Sequence, residues 1–404
     1  MKRQLQFSIQ WHITSKCQNH CKHCYMYNST YEQKLTNECS YEDLMIILGK
    51  LDLFENKYDC SINEYAITGG DPFEHPAFYS LLGELNNRGK NIYILGIPER
   101  ITEDSIKELT SLGVLHYQLS LDGLKDMHDE CRGKGSFDRT IQALEILNQS
   151  KMSTSIMFTL YPGNQDEMFS LIDELDKRKI RAGFSFDLMI FEGNARSFKD
   201  QVFLPDQIKT VMIKYLKKKE ELEESGSSLL LNKKLKLFNV LDYQNKPNAY
   251  FFNDQCTFCG GCYNGIYSLS IDSDGSVYPC RRLPLNIGNL KKDSFESVLL
   301  NNDLLKKFRR RKSYSECGQC KYFKICRGCA AYSYSVYGDA FQKPPYCFLF
   351  DKDDNNELEK EDAYDDLSII LNTDENLRIH NIKSHFLLNK SDLLKELIKH
   401  HYYI

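Results

Sequence analysis

The chain has 404 residues, of which 42% are hydrophobic and 27% charged, with a net charge of −4. That is enough for two or three packed units, and it lacks the basic excess of a nucleic-acid-binding protein; the run Arg309-Arg-Arg-Lys312 reads as a solvated helix end. No apolar run approaches the length of a membrane span, and Met1-Lys-Arg leads into the mixed string Gln4 to Gln10 rather than a signal-peptide core, so a reducing cytosol is expected and the odd total of 15 cysteines argues against a disulfide framework.

In chain order, strands are predicted at Phe7 to Ile13, Glu64 to Thr68, Asn91 to Leu95, Val114 to Leu121, Thr154 to Leu160 and Gly183 to Met189. Helices fall between them. Ser40-Tyr-Glu-Asp43 is a capping box, and Phe78, Leu81, Leu82 and Leu85 recur at i, i+3, i+4 and i+7 before Gly89. Asn164 to Glu167 caps another helix, with Met168, Leu171, Ile172 and Leu175 at the same spacing. Six such units predict an α/β fold, a partial (β/α)6 parallel barrel, whose functional loops follow the carboxyl ends of the strands.

The loop after the first strand carries Cys17, Cys21 and Cys24. Thiolates spaced by three and then two residues can bind three irons of a cubane and leave the fourth open, whereas structural zinc favours four ligands in paired knuckles. After the second strand comes Gly69-Gly70-Asp71, where paired glycines expose backbone groups to a ligand. Nine further cysteines lie between Cys256 and Cys347, around a hairpin Leu269 to Cys280 that turns at Asp274-Gly275. Cys39, Cys60 and Cys131 read as packing cysteines.

With the cysteine triplet, His23 before its last member, and the glycine motif, the chain resembles the radical S-adenosylmethionine (SAM) enzymes. The resemblance implies that the open iron chelates the amino and carboxylate groups of SAM, that Gly69, Gly70 and Asp71 hold its amino nitrogen, and that His23 lies near the adenine. Asp71 stands where the family carries Glu. The segments Tyr117 to Gly123, His128 to Gly133 and Gly135 to Phe137 resemble members that modify peptides. By that likeness Ser120, Asp122 and Arg139 would contact the SAM carboxylate and ribose, although Asp122-Gly123 also fits a plain turn and Arg139 a surface helix position.

The later cysteines resemble the SPASM auxiliary-cluster domain of those relatives. The resemblance implies one 4Fe-4S cluster on Cys262, Cys280, Cys329 and Cys256, with Cys259 as the competing ligand, and a second on Cys317, Cys320, Cys326 and Cys347. Cys326 and Cys329 are separated by two residues where three are usual. Zinc is the rival metal, since eight ligands in paired C-x2-C units can hold two ions.

The likeness therefore implies an enzyme with SAM and three 4Fe-4S clusters, fed by a flavodoxin or ferredoxin, that abstracts a hydrogen from a ribosomally made precursor peptide. Thioether formation from a cysteine is the expected outcome, in line with a likeness to a subgroup whose peptides bear Ala-Cys-Gly repeats; carbon–carbon crosslinking and epimerisation are alternatives. A non-catalytic iron-sulfur electron carrier or sensor and a zinc-stapled interaction module are the readings from other classes. Arg281, next to Cys280, replaces the acidic base of sulfatase-maturing relatives. The expected units are a barrel over 1–225, a helical bridge over 226–255, the auxiliary-cluster domain over 256–350, and over 351–404 an acidic linker with a terminal helix at Ser391 to Ile398 that packs back on the barrel or docks a partner. No leader-binding domain is expected at the amino end.

Overall fold

The computed structural model describes residues 6–245 and 261–352. Alternation in the first strand, β1 (Gln6–Thr14), sets the plan: Phe7, Ile9, Trp11 and Ile13 are buried on one face, while Ser8, Gln10, His12 and Thr14 occupy the other. The same split recurs in β2 (Ser61–Gly69), β3 (Asn91–Leu95), β4 (Val114–Ser120), β5 (Ser153–Leu160) and β6 (Ala182–Leu188), which pair in parallel in chain order. The inner face is polar, with His116 bonded to Ser153 (3.0 Å) and Ser155 (2.8 Å). A closed (β/α)8 barrel fills this space with branched aliphatics. Here it is left as a lumen.

Helices cover the outer face. They are α2 (Tyr41–Tyr58), α3 (Phe78–Asn87), α4 (Glu103–Ser111), α5 (Lys125–Arg132), α6 (Ser136–Gln149), α7 (Gln165–Lys177) and α8 (Pro205–Glu224), whereas the short α1 (Tyr31–Thr36) is held elsewhere by an ion pair of Lys34 with Asp272 (2.6 Å). The capping box before α2 forms as expected, with Asp43 N donating to Ser40 Oγ (3.2 Å) and Ser40 N to Asp43 Oδ2 (3.1 Å). The expected stripes of α3 and α7 are fully buried, each side chain stabilising the sheet–helix layer by roughly 1.5–3 kcal/mol. Asn164 precedes α7 without capping it. Its amide instead accepts from Tyr161 N and donates to Thr159 O, tying the end of β5 to the helix.

Two differences from the expected barrel matter for the site. A seventh strand, β7 (Leu229–Leu231), pairs with β6 and stands where a helical bridge was expected; the helix of that segment, α9 (Leu237–Asn245), follows it. On the other edge, β8 (Ser268–Ile271) lies parallel to β1 and continues antiparallel into β9 (Ser276–Tyr278) and β10 (Gly288–Asn289), giving one ten-stranded sheet. The cysteine-rich segment is thus built onto the barrel rather than beside it. Lys50 clamps this seam by donating to Leu290 O (2.6 Å) and Asp293 O (2.8 Å).

The remaining α-helices among the described residues are α10 (Asp303–Arg309) and α11 (Ala330–Tyr337). The basic run at the end of α10 is not the solvated face its sequence suggests. Arg309 and Arg311 are buried and donate to the carbonyls of Leu299 (2.6 Å) and Gly318 (2.7 Å), because the loops they close leave backbone acceptors with no strand partner. The acidic segment beyond Lys352 and the helix expected at Ser391 to Ile398 lie outside the described residues.

Candidate active site and cysteine cavities

The loop after β1 lies over the carboxyl end of the sheet, where Cys17, Cys21 and Cys24 line one cavity of about 180 Å³ together with His23, Gly69, Gly70 and Ser120. Asn194 holds the loop from the far side, its backbone N–H on Cys24 O (3.0 Å) and its side chain on Cys21 O (3.2 Å). The glycine motif is stitched to the same loop. Gly70 N donates to Thr14 O (2.9 Å) and Asp71 N to Lys16 O (2.7 Å). A Cβ on Gly70 would sit 2.0 Å from Lys16 O and 2.8 Å from the Cys17 Cβ, and one on Gly69, at φ +136°, 2.1 Å from Thr14 O. The close approach that requires glycine is therefore first an approach to the cysteine loop itself.

Asp71 does not line the cavity. It turns back to cap the short helix after it, Oδ1 accepting from Phe73 N (3.2 Å), while the buried Oδ2 has no partner and burial raises the carboxyl to about 6. Asp122 is also set behind the wall. Its Oδ2 accepts from His23 Nε2 (2.8 Å) and Arg132 Nε, and its Oδ1 from Thr159 N (2.8 Å). Burial alone would raise this acid, yet Arg132 and His23 hold it well below the usual carboxylate range. Asp122 therefore orients the groups that face the cavity and does not face it.

Arg139 is not brought to the site. Its guanidinium lies on Glu99 (3.3 Å) with 43% of the side chain exposed. The arginine of this segment that reaches the site is Arg132, which lines the cavity beside Arg281 and Arg282 and comes within 4.0 Å of Cys21 Sγ. Gly133 (φ +108°) and Gly135 (φ +76°) break the chain between α5 and α6, so positions 132 and 139 do not share one helix face. Cys39 and Cys60 are buried in the core, while the Cys131 ligand atom lies within 4.8 Å of those of His23 and Asp122. That trio is no cation site, because the Arg132 guanidinium already occupies the carboxylate.

All seven described cysteines of the later segment, Cys262, Cys280, Cys317, Cys320, Cys326, Cys329 and Cys347, line a second cavity of about 370 Å³. Cys256 and Cys259 lie outside the described residues. The thiols fall into two electrostatic neighbourhoods. Burial raises Cys326 to about 12, with Cys347 and Cys320 adding to it, and these two also act on Cys317; Cys262 acts on both Cys280 and Cys329, the latter likewise pushed up to about 12 by burial. Arg327 and Gly328, at φ +63° and +71°, let the short Cys326-to-Cys329 link reverse between the two sets. A left-handed arginine costs about 1–3 kcal/mol. Its guanidinium offsets this by donating to Cys262 O (2.6 Å), Phe308 O (2.6 Å) and Tyr314 Oη (2.8 Å).

The donor sets can be tested against the metals the sequence suggests. Tetrahedral zinc, at Zn–S of about 2.3 Å, needs sulfurs about 3.8 Å apart. Among the described residues no three cysteine sulfurs lie within 4.8 Å of one another. Seven thiols lining one cavity are donors of the kind that polynuclear iron-sulfur clusters take. The residues of the first cavity likewise fit a bound SAM, with Gly69, Gly70, His23 and Ser120 lining it beside the three cysteines.

A radical SAM superfamily model matches residues 11–175, and a model of an iron-sulfur cluster-binding domain, SPASM, matches residues 262–330. The chain belongs to the radical SAM superfamily and is an enzyme of that class with a carboxyl-terminal SPASM domain. It is 24% identical over 353 residues to an AdoMet-dependent heme synthase of Methanosarcina barkeri, covering 84% of this chain and 95% of that protein. It is 25% identical over 331 residues to the mycofactocin maturase MftC of Mycolicibacterium smegmatis, covering 79% and 76%. In fold it is similar to Streptococcus suis SuiB bound to its precursor peptide SuiA, with a TM-score of 0.65, 17% identity, and coverage of 86% of this chain and 77% of that one. No helix among the described residues is long and apolar enough to cross a membrane.

Proposed function

We propose that this enzyme matures a ribosomally made precursor peptide by abstracting a hydrogen and closing a crosslink, most favourably a thioether from a cysteine. The observation that carries this reading is the junction of the two cavities: Asp187 and Arg282, ion-paired at 2.7 Å, line both. A substrate at the junction is next to the radical-generating site on one side and to the auxiliary thiols on the other. In this reading Cys17, Cys21 and Cys24 hold one 4Fe-4S cluster, and Gly69, Gly70, Ser120 and His23 line the bound SAM. Two further clusters fall to Cys262, Cys280 and Cys329 with Cys256 or Cys259, and to Cys317, Cys320, Cys326 and Cys347. Reductive cleavage of SAM, with electrons from a flavodoxin or ferredoxin, supplies a 5′-deoxyadenosyl radical. The protein's part is to place the substrate hydrogen and exclude water. Bond closure must dispose of an electron, which gives the second set of thiols a use that epimerisation does not; carbon–carbon closure would use the same parts.

The similarity to heme synthases favours a second reading, a heme precursor as substrate. One experiment separates the two. The reconstituted, reduced enzyme is given SAM with either the peptide encoded by a small reading frame flanking its gene or a heme precursor, and 5′-deoxyadenosine and product masses are followed. Stimulation by the peptide, with loss of two hydrogens from it, supports maturation; stimulation by the heme precursor alone would overturn it.

A further inference from the structure

Lys234 follows β7, the strand that the barrel pattern does not foresee, and its side chain is 18% exposed. It lines the cysteine cavity, while Met157, whose sulfur is 3.8 Å from Lys234 Nζ, lines the other. The ammonium is poorly paired. Its carboxylate neighbour, Asp187 on β6, is 3.8 Å away and already accepts from Arg282 at 2.7 Å. Arg281 and Arg282, from the turn after β9, and Lys236 on its own segment face it as further cations, so one carboxylate serves several positive charges. Burial, opposed by Asp187 and reinforced by those cations, lowers its pKa to about 7. With its nearest carboxylate 3.8 Å away and already taken by Arg282, this lysine is short of acceptors at the junction, and the lowered pKa favours its free amine.

The crosslinking reading needs such a group. Joining two partners, R–H and R′–H, removes two hydrogens. One leaves R–H as a hydrogen atom and ends in 5′-deoxyadenosine. Bond formation between the resulting carbon radical and R′ then breaks the R′–H bond and releases one proton and one electron. An oxidised iron-sulfur cluster held by the thiols of the cysteine cavity would take the electron, and the proton needs an acceptor at the junction. Arg281 and Arg282 stay protonated and cannot serve, and Asp187 is engaged by Arg282. We propose that Lys234 is that acceptor, its neutral amine taking the proton of R′–H as the crosslink closes. The inference rests on the crosslinking reading but not on the bond being a thioether, since an S–H or a C–H partner loses a proton in the same step.

Two measurements decide it. The first is competitive labelling of the cluster-loaded enzyme with trace acetic anhydride across pH, read by mass spectrometry, with exposed Lys107 as internal reference. Lys234 should reach half-maximal reactivity near pH 7, against about 10.4 for an ordinary lysine; titration alongside Lys107 would overturn the proposal. The second compares the parent with Lys234→Gln and Lys234→Arg for crosslinked peptide formed per 5′-deoxyadenosine. The parent should rise as pH increases through about 7, and both variants should lose that rise and fall by about 10²-fold. Arginine keeps the charge and packing, so equal yields in Lys234→Arg would contradict the role even if Lys234→Gln folds poorly. If the parent crosslinks no peptide, the crosslinking reading fails and takes this role with it; if the parent crosslinks and Lys234 labels like Lys107, only the role fails.

Discussion

Asp122 shows how one buried carboxylate sets several neighbours at once. It fixes His23, pairs Arg132 and accepts from the β5 backbone at Thr159 N. Removing one partner from a buried ion pair leaves the other uncompensated, so Asp122→Asn should cost about 3–5 kcal/mol of stability. Thermal or urea unfolding checks this, and a loss below about 1 kcal/mol would show that water reaches Arg132. His128 gives a second test. It must stay neutral to accept from Asp122 N (3.2 Å), and burial, followed by Arg132, lowers its pKa from 6.5 to about 4. Its contribution is present above pH 6.5 and lost as pH falls through 4, at about 1.4 kcal/mol per pH unit within that window. The stability gap between the parent and His128→Gln should therefore narrow between pH 6.5 and 4; a gap independent of pH would contradict the assignment. At this scale the cysteines and glycines are legible because their chemistry leaves a local spacing. Arg132, Arg327 and Lys234 are not, because their importance comes from burial and from partners far away in sequence.

Elements carry the next level of constraint. Gly70→Ala would place a methyl group against the backbone of Lys16 and so displace the cysteine loop from the end of β2. The expected result is loss of SAM cleavage and of about four irons, with the remainder retained; iron and sulfide analysis of the purified variant reads this directly, and a full complement of iron would show that the loop tolerates the shift. The amphipathic helices α3 and α7 are readable because period 3.6 reports burial locally. The strand β7 has only three leucines and too few positions for a period, and the pairing of β8 with β1 joins residues about 260 apart, Ser8 with Ser268. Turn chemistry at Asp274-Gly275 announces a hairpin but not the edge it joins.

For the whole molecule, the proposed radical-generating cysteines and the proposed auxiliary cysteines are carried by one continuous sheet. Replacing Cys17, Cys21 and Cys24 with alanine should abolish SAM cleavage and leave roughly eight irons bound, if both auxiliary clusters are of the four-iron type. Loss of all iron would mean that the division is wrong. Cys280→Ala or Cys347→Ala should instead lower product more than cleavage, since cleavage uses the first set alone. Because a lost cluster can unfold the domain around it, each variant needs intact circular dichroism and unchanged elution to count. Peptide maturation is tested most directly by the mass balance of one reaction: precursor peptide consumed, 5′-deoxyadenosine formed and modified peptide produced by the reduced enzyme. One 5′-deoxyadenosine and two lost hydrogens per crosslink are expected. Cleavage of SAM that leaves the peptide unchanged, while a heme precursor is converted, would contradict peptide maturation.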